Sequence, residues 1–259
     1  MDRAVLFRFH KNLSLCKRRI SLLQNFNPEV PIYGVTDEGV NTTELTEAGL
    51  EHVLFLDDIL TGREKWKNGD LVIKEWFDQH GHNVPFDVLH VIEWDLLITA
   101  PLEEAYPSGL SRDTVALSGA IPMEMAQRYD WDWATGLSTS SEELFRSLCA
   151  SFENSTPSAT AYAGLYPGIT FGRHALKKYA EAIEKLPLIG NDEWRTGVLS
   201  PILESEVRDT GFYDGWDTDT ISKTFNCMNN TISADKIKTE DQSLAFHPVR
   251  EPIPESYFE

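Results

Sequence analysis

Residues 86–101 read FDVLHVIEWDLLITAP: an apolar run that meets two carboxylates without a break. The run 86–92 has the length of a strand and carries β-branched residues. Glu93 and Asp95 follow at once, separated by Trp94, and apolar residues resume at Leu96. Two charges left in a core cost several kcal/mol each unless they are paired or bound to a metal. A strand ending this way belongs where a sheet edge opens toward solvent or a ligand, and in open α/β sheets ligands gather at the carboxyl ends of strands. The plainer reading is a solvated loop with two ordinary surface acids.

Working outward toward the N-terminus, the pattern is one of alternation. Residues 4–9 (AVLFRF), 31–35, 53–56 and 86–92 read as strands. Between them lie helical patterns: one after Asn12, a candidate cap, with Leu13, Cys16, Ile20 and Leu23 on one face; a short one at 43–48; and one at 71–80 with Asp70 as its cap. Strands alternating with helices over the first hundred residues predict a parallel, helix-covered sheet. Arg8, His10 and Lys11 stand where the first strand ends, a position for phosphate neighbours. Lys17, Arg18 and Arg19 read as a solvated helix face. Asp37, at the end of the second strand, can accept hydrogen bonds from a ribose or a nucleobase N–H, or cap the turn at Gly39.

Toward the C-terminus the pattern loosens. A short helix follows Pro101, a strand is expected at 114–118, and 121–136 is rich in aromatics, with Tyr129, Trp131 and Trp133. Ser140 and Glu143 form a capping box for a helix to Cys149, and 151–164 reads as a mobile loop. A strand at 168–172, a helix at 173–186 and a helix from Asp192 to about Glu204 follow. Residues 213–259 read as an irregular tail lying over the body, apart from a strand at 243–247.

Composition narrows the function classes. At 259 residues and 41% hydrophobic, the chain can bury a sizeable core. A net charge of −18 argues against nucleic acid or an anionic membrane as the main partner. No apolar run reaches the roughly 18 residues of a membrane span, and residues 1–11 are too broken by charge for a signal peptide. Cys16, Cys149 and Cys227 are far apart and odd in number, which points to a reducing, cytoplasmic setting.

Acid-x-Asp after a hydrophobic strand resembles the metal-binding acidic motif, DXD and its variants, of GT-A glycosyltransferases. Four opening strand–helix units, acids after strands two and four and an aromatic-rich second half extend the resemblance. It implies an α/β GT-A-like fold, Rossmann-type, with a mostly parallel sheet covered by helices. Residues 1–259 then form one domain, 1–105 binding the nucleotide-sugar and 106–259 forming an irregular, aromatic-rich acceptor half with a tail. It also implies Mn²⁺ or Mg²⁺, a UDP- or GDP-linked sugar as donor, and a carbohydrate or other hydroxyl as acceptor. Cleaving such a donor leaves a doubly charged phosphate group, which a hard divalent ion neutralises through carboxylate and phosphate oxygens. On this resemblance Asp95 is the metal ligand and Glu93 holds the ribose, the donor sugar or a metal-bound water. His247, in AFHPV, is a further metal contact, although a lone histidine is more often structural. Asp192-Glu193 resembles the acidic pair that opens a helix facing the donor. Asp192 is favoured as the base of an inverting transfer and Glu193 is second; a dipole-compensated helix start is the plainer reading. Without a base there, retention becomes the better reading.

Three other acid pairs compete. Asp130/Asp132 and Asp217/Asp219 spell DXD better but follow no strand, and Asp57-Asp58 comes too early. His80 and His82 read as surface residues. Trp94, Trp131, Trp133 and Trp194 are candidates for stacking on sugar rings, with core packing the role of at least two. The motif departs from the family in having Glu first and a bulky Trp between the acids, so no particular family follows. A nucleotidyltransferase on the same sheet is one alternative, but its Gly-rich loop (GxGxRL) is replaced here by His10-Lys11-Asn12-Leu13-Ser14. A non-catalytic binding or scaffold protein is the other.

Overall fold

A computed structural model describes residues 1–37, 40–56, 67–129, 131, 143, 147–148, 150, 160–186, 190–216, 223–227, 230–240, 242–254 and 257. Four strands, β1 (Arg3–Arg8), β2 (Ile32–Asp37), β3 (Leu50–Leu56) and β4 (Val88–Glu93), are mutually parallel. β6 (Thr114–Pro122), β7 (Tyr162–Gly172) and β8 (Glu206–Asp209) complete a seven-stranded sheet of order β3-β2-β1-β4-β7-β6-β8. β7 alone runs antiparallel to its neighbours. A separate two-stranded ribbon joins β5 (Leu97–Ile98) to β9 (Ala245–Phe246). The sheet is therefore the mostly parallel, helix-covered α/β architecture expected.

Helices cover both faces, and strand alternation feeds two cores. Ala4 and Leu6 of β1 join a core with Trp76, Tyr179 and Trp194, contributed by α3 (Gly69–Gln79), α6 (Arg173–Ile183) and α7 (Asp192–Ile202). Val5 and Phe7 point the other way, to Leu15, Cys16, Ile20 and Leu23 of α1 (Leu13–Phe26). Short helices α2 (Thr43–Glu47), α4 (Leu102–Ala105), α5 (Met123–Arg128) and α8 (Ala234–Thr239) fill the connections. Among the described residues, no helix is long and apolar enough to cross a membrane.

Several local expectations are corrected. Asn12 does stand at the start of α1, but in the left-handed region (φ 54°), and its side chain makes no capping bond. Asp70 lies inside the first turn of α3 and is committed to a buried ion pair, while Asn68 holds the cap position. β7 begins at Tyr162, inside the stretch read as a loop, because its edges pair with both β4 and β6. β8 was not expected, and the tail contains α8, whose Ile237 packs with Phe246 and Val249. The acids Asp57, Asp58, Asp130, Asp132, Asp217 and Asp219, together with Trp133 and most of the helix expected at 140–149, lie outside the described residues.

Candidate functional site

The carboxyl ends of β1, β2 and β4 bring Arg8, Asp37 and Glu93 to one rim, and a cleft of about 880 Å³ opens above them. The tail reaches this rim through backbone pairing. Leu97 pairs with Phe246 and Ile98 with Ala245, while the Val249 N–H donates to the Asp95 carbonyl at 2.7 Å. Buried Arg19 of α1 donates to the Val249 carbonyl at 3.2 Å, so the tail segment is held from behind as well. His247 and Arg250 are thereby set against Asp95, Arg250 across 155 residues of sequence.

Ligand atoms of Glu93, Asp95 and His247 all lie within 4.8 Å of one another, and no other such group is found among the described residues. His247 Nδ1–H donates to the Asn226 carbonyl at 2.6 Å, since a carbonyl can only accept. That bond leaves Nε2 as the free nitrogen of the neutral ring, 3.6 Å from Asp95 Oδ1. A backbone-oriented imidazole beside two carboxylates is a donor set that fits a divalent cation. Each acid also has an arginine: Arg8 donates to Glu93 Oε1 at 3.0 Å and Arg250 to Asp95 Oδ2 at 3.1 Å. Burial raises the Asp95 carboxyl, but the His247 ring in its protonated form, together with Arg250, outweighs it and holds the group below its ordinary value. Asp95 is thus buried and lines the cleft, with one oxygen engaged by Arg250 and the other turned to His247.

Asn191 caps α7 by accepting the Trp194 N–H at 2.9 Å, which fixes the two acids behind it. Asp192 is 2% exposed and accepts from the N–H groups of Gly69 (2.8 Å) and Glu193 (2.9 Å). Burial, with Asp70 and Glu193 nearby, drives its carboxyl well above the ordinary range. Glu193 is partly exposed and accepts from the Tyr166 N–H and the Asn191 amide, each at 3.1 Å. Burial pushes it up to about 7 against those two bonds. Beneath them, Arg195 pairs with Asp70 through Nη2 at 2.6 Å and Nε at 2.8 Å, tying α7 to the start of α3.

The structure therefore gathers every expected site residue around one cleft: Arg8, His10, Lys11, Asp37, Glu93, Asp95, Asp192, Glu193 and His247. His10 packs edge-on to Trp94 at 5.7 Å, and Lys11 lies 5.0 Å over the same ring. Burial and Lys11 lower the His10 imidazole, which favours its neutral form as a hydrogen-bonding group. Trp194 is fully buried and packs the core; Trp94 and Trp131 line the cleft. Sequence reasoning missed Tyr213, Trp216 and Arg250. Arg250 was findable as a cation three residues past His247 in a tail that otherwise lacks them nearby. Five carboxyl groups line the cleft beside Arg8, Lys11 and Arg250, and burial drives two of them, Asp192 and Glu193, toward their neutral forms. The cations and the remaining acids about balance, so the cleft offers a diphosphate no excess of positive charge unless a cation accompanies it.

No family model matches the chain, and no curated protein matches it. Among solved structures it is similar to the galactosyltransferase LgtC in complex with donor and acceptor sugar analogues, at 10% identity and a TM-score of 0.40, over 80% of this chain and 72% of that one. It is also similar to the bifunctional glycosyltransferase WbbM (14%, TM-score 0.45, 80% of this chain and 38% of that one). A third is the apo glycosyltransferase GlyE of Streptococcus pneumoniae TIGR4 (11%, TM-score 0.39, 81% and 45%). The chain spans less than half the length of the last two. No residue's role follows from likenesses at this level.

Proposed function

We propose that this protein is a divalent-cation-assisted glycosyltransferase of GT-A type that moves a sugar from a UDP- or GDP-linked donor to a hydroxyl acceptor. The observation that carries the reading is the convergence of Glu93, Asp95 and His247 within 4.8 Å at the end of a buried strand, in a cleft large enough for a nucleotide-sugar. Asp95 and His247 would hold Mn²⁺ or Mg²⁺ with Glu93 beside them, and the bound ion would neutralise the diphosphate. Arg8 and Lys11 add positive charge at the end of β1, and His10 adds a neutral donor or acceptor. Asp37, on β2, is assigned to the ribose or nucleobase. Residues 1–105 would serve the donor and 106–259 the acceptor within one domain. A cytoplasmic location goes with the unpaired, buried Cys16.

Glu193 is the preferred base, ahead of Asp192. A group raised to about 7 can accept a proton at neutral pH, and Glu193 reaches the cleft, while Asp192 is buried and held by two N–H groups. The acceptor oxygen attacks the anomeric carbon as the bond from that carbon to the phosphate oxygen breaks. The bond pair leaves with the nucleoside diphosphate, and the acceptor proton passes to Glu193 and then to solvent. Attack opposite the leaving group inverts the anomeric centre.

Thermal shift with UDP, GDP and their sugars, with and without Mn²⁺, tests this. A rise with one nucleotide that requires Mn²⁺ and disappears in Asp95→Asn supports it; no response to any nucleotide removes it. A non-catalytic binder is the second reading, because Arg8 and Arg250 already pair with the two acids. It predicts nucleotide binding indifferent to Mn²⁺ and no sugar release.

A further inference from the structure

The acceptor half of the cleft carries three aromatic rings whose placement the donor chemistry does not use. Trp131 and Trp216 meet edge to face at 5.9 Å and 89°, and Trp216 meets Tyr213 at 5.4 Å and 85°. All three are half-buried and line the cleft. Each ring rests against a hydrophobic core on one side and stays part-open to the cleft on the other, the feature that asks for a ligand.

Their seat is built into the sheet. The Trp216 indole N–H donates to the Gly119 carbonyl of β6 at 2.6 Å. Gly119 has φ +69°, and a Cβ there would come within 2.6 Å of Tyr213 Cδ1 and 2.8 Å of Trp216 Nε1. Only glycine lets both rings settle on the strand. The Gly119 N–H donates to Asp209 Oδ1 at 2.8 Å, at the end of β8, and neighbouring Ser118 donates to the Pro167 carbonyl at 2.7 Å. The rings are thus held in advance, at little entropic cost to a ligand.

Position separates this platform from the nucleotide. Asp37 stands on β2, on one side of β4 in the sheet, whereas Gly119 and Asp209 stand on β6 and β8, on the other. Glu93 and Asp95, at the end of β4, lie between the two. The cationic side chains of the cleft come from the β1 end and the tail, and none comes from β6 or β8. A ligand on the platform therefore needs apolar C–H faces and hydroxyls and no negative charge.

We propose that Trp131, Tyr213 and Trp216 form the acceptor subsite and that the acceptor is an uncharged sugar residue stacked there with its hydroxyl turned to Glu193. This rests on the transferase reading for its role in turnover, but sugar binding can be read without turnover.

The experiment titrates lactose, maltose, cellobiose and sialyllactose into the full chain and follows tryptophan fluorescence, beside Trp216→Ala, Trp216→Phe and Gly119→Ala. The wild type should respond saturably to at least one neutral disaccharide and more weakly to sialyllactose. Trp216→Ala should weaken that sugar about tenfold or more, Trp216→Phe less, and Gly119→Ala should also weaken it by displacing both rings. The nucleotide–Mn²⁺ thermal shift should be unchanged in Trp216→Ala, which also certifies its fold. The proposal is overturned by a wild type silent to every neutral sugar, by undiminished binding in Trp216→Ala, or by loss of the nucleotide response in a folded Trp216→Ala, which would make the platform a nucleobase site. Sugar binding with no nucleotide response would remove the transferase reading and leave the platform standing.

Discussion

His247 turns one ring nitrogen onto the Asn226 carbonyl and presents the other to Asp95 Oδ1 at 3.6 Å. In the neutral ring these are two acceptors facing each other, a pairing that a cation between them resolves. His247→Gln and Asp95→Asn should each weaken Mn²⁺ binding by about 100-fold, since losing a ligand costs at least as much as losing its orienting partner. Calorimetric titration with Mn²⁺ in the presence of UDP or GDP measures this. Equal affinity in wild type and both variants would place the ion elsewhere.

Arg250 holds the other Asp95 oxygen from a half-exposed position, and this makes a counter-intuitive prediction. Removing it in Arg250→Ala frees Asp95 Oδ2 and removes a positive charge from the rim. Mn²⁺ alone should then bind about as well or several-fold more tightly, whereas the nucleotide–Mn²⁺ complex should lose affinity with the lost cation. A parallel fall in both would mean that Arg250 only braces the tail.

Arg195 and Asp70 form a buried pair whose side chains are 3% and 0% exposed. Arg195 also donates to the Asn68 side chain at 2.8 Å and the Lys67 carbonyl at 3.0 Å, and Tyr179 donates to Asp70 at 2.8 Å. Arg195→Met strands a buried carboxylate and should cost about 3–5 kcal/mol in urea unfolding. Adding Asp70→Leu to that variant should recover a large part of the loss, because the unpaired charge goes with it.

What the sequence disclosed, and what it hid, follows from the kind of signal each feature leaves. Asp95 was legible because charge directly after an apolar strand is costly anywhere but a site. The parallel half was legible because strands buried on both faces read as apolar runs. β8 left no such trace: EVRD is partly exposed and has one neighbour, β6, so its pairing is tertiary. The first half of β7 was hidden by Pro167 and by Gly168 at φ +80°, which read as a break but sit within a strand whose register to β6 is irregular. The aromatic seat was invisible because Gly119 and Trp216 are 97 residues apart, and only the shape of β6 joins them. Asp192 and Glu193 were found as a pair, but their ranking turned on burial, which sequence does not give.

Gly197 lies on α7 where the helix crosses β7, and a Cβ there would overlap the Tyr162 carbonyl oxygen. Backbone cannot yield as a side chain can, so Gly197→Ala should cost about 2–4 kcal/mol despite the better helix propensity of alanine. Chemical denaturation reads this directly. A neutral or stabilising result would mean that the helix and strand are not in contact.

Glu193 sets the pH dependence. Its carboxyl titrates at about 7 in the folded chain against an ordinary 4.5, with burial as the main cause. Between those values the folded state binds more protons than the unfolded one, so stability falls as pH rises through this window and is lowest above pH 7. Allowing for the partial exposure of the side chain, the loss is roughly 2 kcal/mol. Glu193→Gln keeps the volume and removes the titration. In metal-free buffer it should therefore match wild type near pH 4.5 and be the more stable protein at pH 8, with a flatter profile between. Turnover should move the opposite way: wild-type activity rises through pH 7 as Glu193 ionises, and Glu193→Gln should lose about 100-fold or more while its nucleotide–Mn²⁺ thermal shift persists. If the two stability curves run parallel across pH 4.5–8, the Glu193 carboxyl is not raised in the folded chain, and the reason for preferring it to Asp192 as the base is lost.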